Sequence, residues 1–225
     1  MNKAKRIISL ILVAILLLST LSITSCDRKF DEQEVIEAVK ELLPKAEILN
    51  TVYYGSGIMY VTGRNQEGIY YEADPMHLES LGFDDIDRLK ELTDKTFTVG
   101  FAQQIYETRL SSIVDDSGVR ELARYYQKYS PDGNKECIMV SSDYPITFKD
   151  KLTYDYTTIK ALYSKKDTVY LSIECEVQNS DGEFQRTEIK IALIEEEKGW
   201  RIDNPVYTNY NEYLYKYEEL EKNNK

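Results

Sequence analysis

His77, in "PMHLES", is the only histidine of this 225-residue chain, so any Cys–His or Ser–His nucleophile would have to draw on it. No G-x-S-x-G elbow or comparable signature surrounds a serine or a cysteine. His77 is therefore expected in an exposed loop, outside any catalytic role. A zinc site asks for three or four His or Cys ligands, and beyond Cys26 the inventory is His77, Cys137 and Cys175; no metal is expected. Carboxylates are plentiful at Asp84, Asp85, Asp87, Asp115, Asp116 and 195–197. A glycosidase needs two of them opposed across a cleft, which spacing alone does not define, and no EF-hand pattern occurs. Most are read as solvated helix starts and turns. Glycines 55, 57, 63 and 68 match no nucleotide fingerprint. These residues favour a binding protein over an enzyme, with no cofactor.

Cys26 carries a different chemistry. Met1–Arg6 holds Lys3, Lys5 and Arg6; Ile7–Leu18 is an apolar run broken only by Ser9; small residues then lead to Cys26. This is the order of a secretory signal, and the 12-residue apolar core is short of the roughly 20 residues of a membrane span. "ITSC" resembles a bacterial lipobox, which implies lipidation of Cys26, removal of residues 1–25, and anchoring to the outer face of the cell membrane by several acyl chains. Within the short tether 26–30, Asp27–Phe30 then reach on the order of 14 Å from the lipidated residue. Outside the cytoplasm Cys137 and Cys175 are candidates for a disulfide. They can equally be small buried hydrophobes, and Cys175 is in phase with Val169, Leu171, Ile173 and Val177.

Loss of residues 1–25 takes three basic and no acidic residues, moving the net charge from −11 to −14. That argues against nucleic acid and against a basic clamp on anionic lipid, and favours a cationic partner or plain solubility.

Asp31 offers an N-cap with Glu34 as its capping-box partner, followed by Val35, Ile36, Val39, Leu42, Leu43, Ala46, Leu49 and Tyr53 at helical spacing. Pro44 is expected to kink or split this helix, and Gly55 to end it as a C′ residue. "GIMYVTGRNQEGIYYEAD" reads as a hairpin turning at 63–68. Asp84 or Asp85 starts a helix striped by Ile86, Leu89 and Leu92, and Thr98 caps another through Phe101, Ile105 and Leu110. A hairpin around Pro131-Asp132-Gly133 and strands near 154–163, 167–178, 184–194 and 199–204 follow. Tyr210, Tyr213, Leu214, Tyr217 and Leu220 share a helical face in the tail. The expected class is α+β: a helical N-terminal part with one β-hairpin, then an antiparallel β-meander, in one domain or two lobes over 31–208, and a C-terminal helix over 209–225.

Tyrosine is unusually common, with 19 residues against one Trp and six Phe, and doublets at 53–54, 70–71 and 125–126. Tyrosine suits sugars and protein interfaces, though a doublet in a strand sends one ring to each face.

"LLPKAEILNTVYYGSGI", Leu42–Ile58, resembles the N-terminal signature of the IseA-type inhibitors of cell-wall DL-endopeptidases, with Leu43, Lys45, Ala46, Leu49, Asn50, Tyr54, Gly55 and Gly57 matching. "LKELTDKTFT", Leu89–Thr98, resembles their second helix and its exit. The resemblance covers about 30–208; the lipobox and the tail depart from it. It implies a membrane-tethered inhibitor that occludes an NlpC/P60-type peptidase with an acidic, tyrosine-rimmed surface, the expected contacts being Tyr53, Tyr54, Ser56, Asp84, Asp85, Asp115 and Asp116. "KGWRIDNPVY", Lys198–Tyr207, resembles the last strand of NTF2-like domains, which implies the alternative of a cone-shaped sheet whose pocket binds a small ligand or cell-wall fragment without catalysis.

Overall fold

The computed structural model describes residues 30–63, 66–114, 120–129, 136–144, 151–178, 183–204 and 206. Cys26, the signal segment, Asp115, Asp116 and the tail expected to be helical lie outside the described residues. Among the described residues no helix is long and apolar enough to cross a membrane.

The first helix, α1, is Glu32–Tyr53. Asp31 caps it, accepting from the N–H groups of Gln33 and Glu34. Glu34 does not close a capping box: its Oε1 accepts from Trp200 Nε1 at 2.9 Å, pinning the helix start to the last strand. Pro44 does not split the helix, which runs unbroken through it. Pro44 sits on the exposed face, where the carbonyl it leaves unpaired one turn earlier is open to water. Val35, Val39, Leu43, Ala46, Leu49 and Val52 are fully buried on the opposite face.

The five-stranded sheet explains that stripe. Strand β8 (Thr168–Gln178) forms a long antiparallel hairpin with β9 (Phe184–Glu196), and β10 (Gly199–Ile202) pairs on the far side of β9. The expected strand at 154–163 is two strands, β6 (Lys151–Tyr154) and β7 (Lys160–Lys165), laid end to end along β8. A 3₁₀ turn at Tyr156–Thr158 separates them, nucleated by the Asp155 carboxylate accepting from Thr157 N. Leu171, Ile173, Ile189, Ile191, Leu193 and Ile202 are fully buried and share a cluster with the α1 stripe.

A second, three-stranded sheet orders β1 (Tyr70–Glu72), β5 (Glu136–Ser141) and β4 (Tyr125–Tyr129) with β5 in the centre, all antiparallel. The hairpin expected at 57–74 has only its second arm as a strand; the first is held by a single bridge, Tyr60 to Ala73. In the tyrosine doublets 70–71 and 125–126, Tyr70 and Tyr125 are buried and Tyr71 and Tyr126 only partly so, as strand alternation requires. Three helices lie between these elements: α2 (Pro75–Leu81), α3 (Ile86–Thr96) and α4 (Val99–Ile105), with a π turn at Tyr106–Leu110. Asp85 caps α3 and Thr98 caps α4, as their positions require. A two-stranded ribbon, β2 (Ile113–Val114) with β3 (Arg120–Glu121), completes the described fold. The class is α+β, and one cluster of buried side chains is drawn from α1 and from the five- and three-stranded sheets.

Candidate functional site

Helix α2 is the element least visible in the hydrophobic pattern, and it builds the wall of a groove. Asp74 accepts from Met76 N at 3.0 Å, Pro75 occupies the first turn where no N–H is needed, and Gly82 closes the helix in the left-handed region at φ 84°. Leu78 turns inward while Glu79 stays exposed. After Gly82 the chain buries Phe83, exposes Asp84, and uses Asp85 to accept from Arg88 N at 2.7 Å. Between this wall and the β1–β5 edge opens a groove of about 490 Å³. Its rim carries Glu72, Glu79, Asp84 and Glu136; Ala73, Leu78 and Phe83 supply apolar surface; among the described residues no lysine or arginine lines it. Gln127 donates to the Glu136 carboxylate, which aims that side chain.

A larger hollow of about 690 Å³ lies by Phe97 and Val99, but Lys198 and Arg201 line it alongside its acids. There Arg201 Nε donates to the Asp94 carbonyl at 3.0 Å and Glu196 accepts from Val99 N at 3.0 Å. Arg201 and Glu196 are thus committed to the fold.

The expected contact residues separate. Asp84 lines the groove and Asp85 caps the helix beside it. Ser56 is exposed after the end of α1. Tyr53, expected on the surface, is instead fully buried, its hydroxyl 2.9 Å from Thr93 Oγ1 and its pKa raised by burial. The cause is helical phase: position 53 continues the stripe 35, 39, 42, 46, 49. Tyr54 is half-buried, its ring 5.0 Å from the Arg109 guanidinium.

The G-x-G bend is a packing device. Gly55 follows the C-cap Tyr54 and so stands at C′ as expected, but the positive φ, 80°, falls at Gly57. Arg124, 3% exposed, fills the space beside Gly57 and donates to the carbonyls of Tyr53 (2.8 Å) and Gly55 (2.7 Å). A cation at a helix C-terminus meets the negative end of the dipole, and burial pulls the Arg124 pKa down. Tyr125 Oη donates to Val52 O at 2.6 Å and accepts from Ile58 N at 3.1 Å, and burial raises its pKa to about 12. Arg109 and Arg124 flank the Tyr144 ring at 5.3 and 5.1 Å, extending the stack begun by Tyr54.

His77 is on α2 and half-buried, where an exposed loop was expected. Its Nδ1 accepts from Met59 N at 2.9 Å, so the neutral ring carries its proton on Nε2. Neither nitrogen then offers a lone pair to a nucleophile or a metal. Among the described residues no group of three His, Cys, Asp or Glu is placed to hold a metal. Of the two readings of Cys137 and Cys175, the candidate disulfide does not form: one lies in β5 of the three-stranded sheet, the other in β8 of the five-stranded one. Burial raises the Cys175 thiol to about 11, in keeping with its inward phase.

Sequence reasoning missed Glu72, Glu79 and Glu136, which lie far apart along the chain. A signal for α2 was present in Asp74-Pro75 before and Gly82 after, the N-cap, N1 and C′ punctuation of a short helix. No family model matches the chain, and no curated protein matches it.

Proposed function

We propose that this chain is an extracytoplasmic protein, lipid-anchored through Cys26, that binds and inhibits a cell-wall DL-endopeptidase by laying its acidic groove over the enzyme's basic cleft. One observation carries the reading: four carboxylates rim a groove with an apolar floor, and among the described residues no lysine or arginine lines it. Complementary charge of this kind speeds encounter and selects partners more than it adds affinity. Affinity comes from desolvated apolar anchors. Tyr53 is too deep for that role. Met59 and Met76, 63% and 79% exposed beside His77, take its place. The NTF2-like alternative asks for a ligand cavity between α1 and the large sheet. Val35, Val39 and Leu43 share a cluster there with Leu171, Ile191 and Ile202, every one fully buried.

The test is binding kinetics of the full chain in liposomes against NlpC/P60-type peptidases from the same organism. Association should slow as salt rises from 0.1 to 1 M, where the Debye length falls from about 10 to about 3 Å. Glu79→Lys with Asp84→Lys should slow association further at low salt. Met59→Ala with Met76→Ala should instead speed release. Absence of binding and inhibition at micromolar protein would sink the proposal.

A further inference from the structure

The groove has a backbone as well as side chains. Ser141 N donates to Arg124 O at 3.0 Å, so the N–H and C=O groups of Ser141, Met139 and Cys137 face β4. By strand alternation those of Val140, Ile138 and Glu136 face the other edge of β5. Strand β1 occupies that edge opposite residues 139–141, and Ala73 N reaches Ile138 O at 2.8 Å as its last contact. The chain then departs, because Asp74 caps α2 and the next residue, Pro75, has no N–H to offer. Among the described residues no strand pairs with β5 on this edge opposite Glu136, and the groove opens there.

We propose that the groove receives an extended, lysine- or arginine-bearing peptide segment of the partner protein, which adds to β5 at Glu136 in the line that β1 vacates. The inference rests on the groove being the partner-binding face proposed above, and it specifies how that face reads its partner. Backbone pairing with Glu136 gives direction and register. Alternate side chains of the added segment point to opposite faces. One set drops an aliphatic group onto Leu78 and Phe83, and the other places ammonium or guanidinium groups against Glu79 and Asp84 at the rim. A cationic segment fits because, among the described residues, the lining carries four carboxylates and no lysine or arginine. An extended one fits because the open groups belong to a strand edge.

The test uses the full chain in detergent and two probes, acetyl-Lys-Val-Lys-Val-Lys-amide and the same peptide N-methylated at both valines. The probes share charge and side chains and differ in backbone donors. The first should bind and slow hydrogen exchange at the Glu136 amide, and the second should bind roughly tenfold or more weakly. Glu79→Lys with Asp84→Lys should weaken the first probe by a similar factor, with circular dichroism confirming the fold. Equal affinity of the two probes, or an unprotected Glu136 amide, would overturn strand addition while leaving an acidic groove that captures charge alone. Probe binding indifferent to both Lys substitutions would remove the groove from either proposal. A failure of the first probe to bind at millimolar concentration would overturn strand addition, whatever the peptidase kinetics show.

Discussion

A methyl group at position 57 would stand 2.7 Å from Tyr125 Oη and inside the reach of the Arg124 guanidinium, on a backbone at φ 80°. Both the strain of a left-handed alanine and the overpacking act together, so Gly57→Ala should lower stability by about 2–4 kcal/mol. Urea unfolding measures it, and a loss below about 1 kcal/mol would mean that Arg124 swings aside without cost. The residues around this glycine also explain why Tyr53 and Tyr54 do not behave as a pair. Their adjacency in the sequence suggests one surface, but successive helical positions are about 100° apart, so one ring enters the core and the other meets Arg109. Arg124 had no local signature at all. Its carbonyl acceptors at Tyr53 and Gly55 lie about 70 residues earlier in the chain, and a side chain that caps a distant helix leaves no periodic trace.

At the level of elements, α1 carries a proline that helix physics disfavours. Pro44 lies inside the unbroken span Glu32–Tyr53 and on its solvent face. Pro44→Ala restores one helical N–H and improves propensity, partly offset by the greater freedom of the unfolded chain. The expected result is a gain of about 1–2 kcal/mol, read as a higher Tm at constant fold. A loss would mean that the ring itself packs against a neighbour. Most elements were legible from periodicity and punctuation: α1, α3, α4, the β4–β5 hairpin and the β8–β9–β10 meander. The misreadings have physical causes. Strand 154–163 divides because Asp155 caps a local turn with its own side chain, which competes with ladder pairing. The hairpin at 57–74 keeps only bridge-level pairing to its first arm, and β1 takes its strand partner, β5, from far along the chain, where no local pattern points.

Across the whole molecule the charge balance sets the pH response. Burial raises the Glu47 carboxyl from its usual value to about 7, and burial raises Asp203 as well. The folded state therefore holds the Glu47 proton more tightly than the unfolded chain does. Stability from this group is fully present below about pH 4.5 and is lost as pH climbs through about 7. The carboxylates held low by partners, Glu41, Glu67, Glu91, Asp155 and Glu188, act with the opposite sign and only toward lower pH. Glu47→Gln should then raise stability at pH 8 by on the order of 1 kcal/mol after allowance for solvent screening, and flatten the slope between pH 5 and 8. Equal slopes in thermal melts of both proteins would refute it. The sequence by itself determined the class, the acidic balance, the long amphipathic helix, the alternating strands and the inward Cys175, because these follow from nearest-neighbour periodicity along one element. Only the tertiary structure decided that Cys137 and Cys175 lie in separate sheets and that Gly57 makes room for a buried arginine. It also decided that Glu72, Glu79, Asp84 and Glu136 meet around one groove. Those outcomes depend on which elements pack together, and side chains that converge from a strand end, a short helix and a loop have no shared period by which a linear pattern could join them.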